Sequence, residues 1–202
     1  MYISWQGNNY FKLQNSQHSI VLNPYALEDN FKYGKVKADV AVFTDPKMIK
    51  SCKMDEETMV IDSAGEYETK DIFVYGRPTN GHLIYLIIFE EIRVAFLGEY
   101  GHEPLTDKDL ELVEGADIVI LPVGGGDMAN AKEANKLIGQ IEPRLVIPSA
   151  YQIKELKNKA DSLEVFIKEF GVKPEESDKF KVSKKDLPQD DVKLVVLKPQ
   201  LW

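Results

Sequence analysis

VAVFTDPKMIKS, residues 40–51, is an apolar run that breaks into a polar loop. Val40 to Phe43 read as a β-strand, and Thr44-Asp45-Pro46 stop it, because proline has no amide to donate and Asp favours a turn. A buried strand that delivers a polar loop is the grammar of layered α/β proteins, which keep their chemistry on such loops. This loop offers one carboxylate, Asp45, and two ammonium groups, Lys47 and Lys50.

Outward from this stretch, the first hundred residues are rich in strand signals. YFKLQN and SIVLNP predict a hairpin around Asn15-Ser16-Gln17-His18. ADVAVFTDP, TMVIDSAG and IFVYGRP follow, each closed by Gly, Pro or Asp. HLIYLIIFEEIRVAFLGEYG reads as two strands joined at Glu90-Glu91. Several runs are continuous rather than alternating, as in strands covered on both faces.

The second half changes pattern. Thr106 and Asp109 in PLTDKDLELVEG fit a capping box ahead of a short helix that Gly115 ends. ADIVILPVGGG is a buried strand, and DMANAKEANKLIGQ is a helix with Ala131, Ala134, Leu137 and Ile138 on one face. RLVIPSAY is a further strand. IKELKNKADSLEVFIKEFG carries Ile153, Leu156, Leu163, Phe166 and Ile167 at helical spacing and ends on Gly171. Lys173 to Lys193 is expected as surface loop with one short strand, KFKVS, and KLVVLKP closes the sheet. No repeat of fixed period is present. Strands first, then strands alternating with helices, predict sheet layers flanked by helices.

With 202 residues and 44% hydrophobic content the chain can bury a full core, and a single domain over residues 1–202 is expected. The net charge of -8 is unevenly spread. From Tyr151 onward 11 Lys/Arg face 10 Asp/Glu, which leaves 14 against 23 in the first 150 residues. That balance argues against general nucleic-acid or anionic-membrane binding and leaves room for a local basic cleft. Cys52 is the only cysteine, so no intrachain disulfide forms and a reducing compartment is expected. The opening MYISWQGNNYF has neither a basic nor an apolar signal region, and the longest apolar run, LIYLIIF at 83–89, is too short to span a bilayer. A cytoplasmic protein is the expectation.

Four strand ends are rich in polar or Gly residues: WQGNNYF, FTDPKMIKS, FLGEYGH and LPVGGGD, with a shorter fifth, IPSAY. With WQGNNYFKL, VLNPYAL, KADVAVFTD, GEYE, IFVYG, FLGEYGH, ADIVILPVGG, AKEANKLIGQIEPRLVIPSAY, FIKEFG and KLVVLKP in this order, the chain resembles the metallo-β-lactamase superfamily. The likeness is to its branch of small zinc-dependent hydrolases similar to ascorbate-6-phosphate lactonase. The resemblance implies a mixed α/β, four-layer αββα sandwich with an active site at one edge, between the sheets.

In that family the loop at residues 44–51 carries His-x-His-x-Asp-His, which binds zinc or manganese through clustered imidazoles and a carboxylate. Here the matching positions are Asp45, Lys47, Ile49 and Lys50. The family's bridging Asp corresponds to Glu99, its late His to Ala150 beside Tyr151, and its early GHS to Gly7-Asn8-Asn9. A further ligand would fall between Arg77 and His82. The three histidines are His18, His82 and His102, so the usual dinuclear site cannot be assembled and no metal or other cofactor is expected. Asn8, Asp45, Lys47, Lys50, Glu99, His102, Ala150 and Tyr151 are the candidate vestigial site.

Lys47 or Lys50 could pair with Asp45 or Glu99 and replace the lost cationic charge; the alternative is that both are solvated. His102 could line a pocket or serve the loop. Gly124, Gly125 and Gly126 ahead of a helix, with Arg77, could contact an anion, but the loop has no Walker A lysine and also reads as a tight turn. Glu66 and Glu68 share a strand face without a partner nucleophile, and Cys52 has no activating neighbour in sequence.

Three functions follow. The first is a non-catalytic relative that binds a small anion or a protein, with a homo-oligomer left open. The second is a residual phosphodiester or lactone hydrolase with a rearranged mononuclear site on Asp45, Glu99 and His102. The third, a variant of the first, is a metal-free anion pocket of Lys47, Lys50, Arg77 and the Gly loop. The first is the leading expectation.

Overall fold

The computed structural model describes residues 1–25, 34–154 and 159–201. Its first strands are β1 (Tyr2–Trp5), β2 (Phe11–Gln14), β3 (Ser19–Leu22), β4 (Val40–Val42) and β5 (Met59–Ile61). A meander follows, β6 (Gly65–Thr69), β7 (Ile72–Thr79), β8 (His82–Phe89) and β9 (Ile92–Phe96). Helices and strands then alternate: α1 (Asp107–Val113), β10 (Ile118–Pro122), α2 (Ala131–Ile141), β11 (Leu145–Ser149) and α3 (Leu163–Phe170). The chain closes with β12 (Pro174–Ser177), β13 (Phe180–Lys181) and β14 (Lys193–Leu197).

Among the described residues these strands make a six-stranded sheet, β13-β1-β2-β3-β4-β5, and an eight-stranded sheet, β12-β14-β11-β10-β9-β8-β7-β6. Side-chain alternation decides which face of the first sheet is inside. Ile3, Trp5, Phe11, Leu13, Ile20 and Leu22 join the main core, while Ser4, Lys12, Gln14 and Val21 point the other way. β10 and β11 are buried at every position and pair in parallel with each other, as expected for strands covered on both faces. The turns are local in origin. Asn15 Oδ1 accepts the amides of Gln17 and His18 at 2.8 and 2.7 Å, and Glu90 and Glu91 take φ of 54° and 63°, as a tight hairpin turn demands.

α1 packs on β7 and β8, α2 on β10, and α3 on α2. The expected helix start is present, with Thr106 and Asp109 exchanging hydrogen bonds as a capping box, and Asn130 with Glu133 does the same for α2. α2 buries Ala131, Ala134, Leu137, Ile138 and Ile141. On the outer side of the six-stranded sheet, Val21, Tyr25, Val36, Ala41 and Phe43 form a satellite core with Met48 and Ile49 of a 3-10 helix at Pro46–Ser51.

Two expectations change. The helix read from Ile153 begins only at Leu163; Ile153 is buried outside it, and Leu156 lies outside the described residues. The chain before it is tied elsewhere, with Asp161 N donating to Gly124 O at 2.7 Å and Gln152 N to Asp161 O at 2.9 Å. The stretch from Lys173 holds a second strand, β12, which pairs in parallel with β14 at the sheet edge. An edge tolerates its proline and charges.

Candidate functional site

The loops that leave β1, β4, β9, β10 and β11 meet at one edge of the sandwich. Ala150 N donates to Asn8 O at 3.1 Å, Ala129 N to Tyr100 O at 2.9 Å and Leu83 N to Thr44 O at 2.8 Å. Asn23 locks the β4 loop twice: its Oδ1 accepts Thr44 N at 2.8 Å and its Nδ2 donates to Thr44 Oγ1 at 2.7 Å. Gly98 lies against the same threonine, since a Cβ there would stand 2.4 Å from Thr44 Oγ1, and its φ is +46°. This approach sets Glu99 beside the β4 loop.

Glu99 is the centre of the cluster. Its Oε1 accepts a hydrogen bond from the Tyr25 phenol, and its Oε2 lies 3.7 Å from His82 Nδ1. That nitrogen is buried without a hydrogen-bond partner. Burial is the main cause that lifts the Glu99 carboxyl above the usual carboxylate range, and the charge of Asp45 adds to it; the Tyr25 hydrogen bond and His82 work in the opposite direction. Burial, then the Glu99 charge, pushes the Tyr25 phenol far above its ordinary range, so it acts as a donor only. The arrangement can hold and exchange a proton on a half-screened carboxyl, and it supplies no nucleophile.

A zinc or manganese ion requires several imidazole or carboxylate donors aimed at one point. Among the described residues no group of three or more His, Cys, Asp or Glu could hold a metal ion. One Glu99 oxygen is already committed to Tyr25, and Asp45 Oδ1 accepts Lys47 N at 2.9 Å as the cap of the 3-10 helix.

Several sequence candidates fall elsewhere. Lys47 and Lys50 are exposed and make no ion pair among the described residues, which matches the solvated alternative and not the plug. Arg77 is not at the Gly loop in function; its Nε donates to Asp109 Oδ1 at 2.7 Å and secures the start of α1. The Gly loop forms a turn in which Gly125 N donates to Ala129 O at 3.1 Å, and Asn130 takes the amides of Lys132 and Glu133 at the start of α2, which fits the tight-turn reading of this loop. Gly124 is required sterically, since a Cβ would stand 2.1 Å from Ala150 O.

His102 serves the loop. Its Nδ1 faces Glu133 Oε2 at 2.9 Å and its Nε2 faces Gly126 O at 2.8 Å, so neither nitrogen turns to Glu99. The Glu133 hydrogen bond, with the Gly126 carbonyl, raises the imidazole above its ordinary value. Asn8 contributes backbone: its carbonyl accepts Trp5 Nε1 at 2.8 Å and its φ is 49°. Ala150 is buried with φ of 55°, and Tyr151 packs against Trp5 at 4.9 Å between centroids with the rings tilted by 42°. Burial lifts the Cys52 thiol to about 11, which makes it inert at neutral pH.

Tyr25 is the member of the Glu99 cluster that sequence reasoning misses. It stands 74 positions from Glu99, and an isolated tyrosine after Asn-Pro gives no local signal. His82 is the underweighted one; its place opening β8, opposite Thr79, brings it to the cluster.

Comparison with known proteins agrees with this fold. The family profile described as Beta-lactamase superfamily domain matches residues 2–150. The chain is similar to UPF0173 proteins of Pyrococcus furiosus and Pyrococcus abyssi, each 25% identical over 178 residues, 75% of this chain and 83% of the relative. It is also similar to a solved Thermotoga maritima protein described as a candidate Zn-dependent hydrolase of the metallo-β-lactamase superfamily. That match has a TM-score of 0.82 and 26% identity and covers 98% of both chains. A candidate metal-dependent hydrolase from Parabacteroides distasonis shares the fold at a TM-score of 0.63 and 16% identity, over 98% of this chain and 93% of that one.

Proposed function

The chain belongs to the beta-lactamase superfamily, and from that premise we propose that it is a non-catalytic member whose strand-end site is held by hydrogen bonds instead of metal ions. Its working partner is a small anion or another protein. The observation that carries this reading is the state of Glu99. The carboxylate at the family's bridging position is bonded to a buried phenol and faces one imidazole nitrogen at 3.7 Å. No second imidazole supports it, and the β4 loop contributes only Asp45, which caps its own helical turn.

A residual hydrolase on Asp45, Glu99 and His102 is opposed by His102, whose two nitrogens are engaged by Glu133 and Gly126. The test is turnover of model phosphodiesters and lactones with zinc or manganese supplied in excess. The expected outcome is no hydrolysis that a chelator abolishes. Chelator-sensitive turnover that is also lost in Glu99→Gln would restore the hydrolase.

A further inference from the structure

The outward face of β1 to β3 is not closed by the satellite core. It forms a groove of about 410 Å³ between the segment at residues 34–37 and the residues around Lys179 and Gln200. That volume lies in the range of small-molecule sites. Four lysines line it, Lys12, Lys35, Lys37 and Lys179, and among the described residues no carboxylate does. Lysine on the open face of an antiparallel sheet is ordinary. A one-signed concavity is not ordinary in a chain of net charge -8.

The four ammonium groups are unequally neutralised. Lys35 pairs with Asp55 at 3.2 Å, and Lys179 lies over the Tyr2 ring at 4.8 Å. Lys12 and Lys37 make no ion pair within 4 Å among the described residues, and the charge of Lys37 still reaches Asp55 and helps lower its carboxyl. The sheet order spreads these side chains widely: Lys179 flanks β13, Lys12 is on β2, and Lys35 and Lys37 flank β4. At about 4.8 Å per strand, each step between them is roughly 10 Å at the backbone. Low-dielectric walls of one sign concentrate the field in the cleft, which raises the local concentration of anions. The floor is polar as well, with buried Ser4 and Gln6, and Gln6 Nε2 donates to Gln200 Oε1 at 3.4 Å.

We propose that this groove is a binding site for a small ligand carrying a chain of two or more phosphate groups. Charge spread over three strand positions suits several linked phosphates better than one. The site is separate from the Glu99 cluster, so it stands whether or not that cluster takes a metal.

The experiment is calorimetric titration of metal-stripped protein with sodium tripolyphosphate, against orthophosphate at matched ionic strength. One tripolyphosphate per chain is expected, binding at least tenfold more tightly than orthophosphate and weakening as salt is added. Lys12→Gln with Lys37→Gln should weaken it about tenfold, and Lys47→Gln with Lys50→Gln should leave it unchanged. Lys37→Gln alone, at an exposed position, gives the same direction if the double variant folds poorly. Absence of binding, or loss of binding in the Lys47 and Lys50 pair instead, overturns the proposal and leaves the non-catalytic reading untouched.

Discussion

Glu99 costs this protein stability at neutral pH. Its carboxyl is raised in the folded state, chiefly by burial, so the folded chain holds that proton more tightly than the unfolded chain does. The sign follows: folding is favoured at low pH, and stability is lost as pH rises from the ordinary carboxylate range through the raised value. Glu99→Gln keeps an oxygen for the Tyr25 phenol and removes the charge. It should stabilise the protein by about 1 kcal/mol at pH 7, and the gain should vanish near pH 4. Denaturant unfolding of both proteins at the two pH values checks this. His102 runs the same way, at higher pH. Its raised imidazole donates from both nitrogens, to Glu133 and Gly126, only when protonated. That contribution is complete below the usual histidine range and is lost as pH rises through the raised value. An NMR titration should find the His102 pKa falling toward its ordinary value in Glu133→Gln.

At the scale of elements, the loops depend on close approach rather than on secondary structure. Gly98→Ala would place a methyl 2.4 Å from Thr44, whose side chain is buried and bonded to Asn23, and should cost about 3 kcal/mol. Gly81→Ala, with φ of +88° and nothing within 4 Å of the added carbon, should cost about 1 kcal/mol through backbone strain alone. Thermal melts of the two variants separate crowding from conformation. The same contrast explains what was legible. The hairpin at Asn15, the Glu90-Glu91 turn and the capping box at Thr106 are written within a few residues, and all three are present. β12 was not legible, because PEES becomes a strand only through β14 at a sheet edge. The shortened α3 was not legible either, because the competing bond from Asp161 to Gly124 spans 37 residues.

At the scale of the molecule, the order of strand runs and helices indicated sheet layers flanked by helices, the family resemblance implied the two-sheet sandwich, and the sheet orders bear both out. The site was legible only by absence. The β4 loop has no histidine, but nothing local to it names Tyr25 as the group that holds Glu99, or shows that Lys47 and Lys50 turn to solvent. Those facts depend on which strand ends the fold brings together. The basic groove was hidden for the same reason, since its lysines lie on three separate segments of an acidic chain. The central claim, that hydrogen bonds have replaced metal chemistry here, is tested most directly by metal content. The purified, tag-free protein should be loaded with zinc, manganese and magnesium in turn, freed of unbound ions, and measured by elemental mass spectrometry. The account predicts no stoichiometric metal under any loading. One tightly held ion per chain, lost in Glu99→Gln, would contradict it.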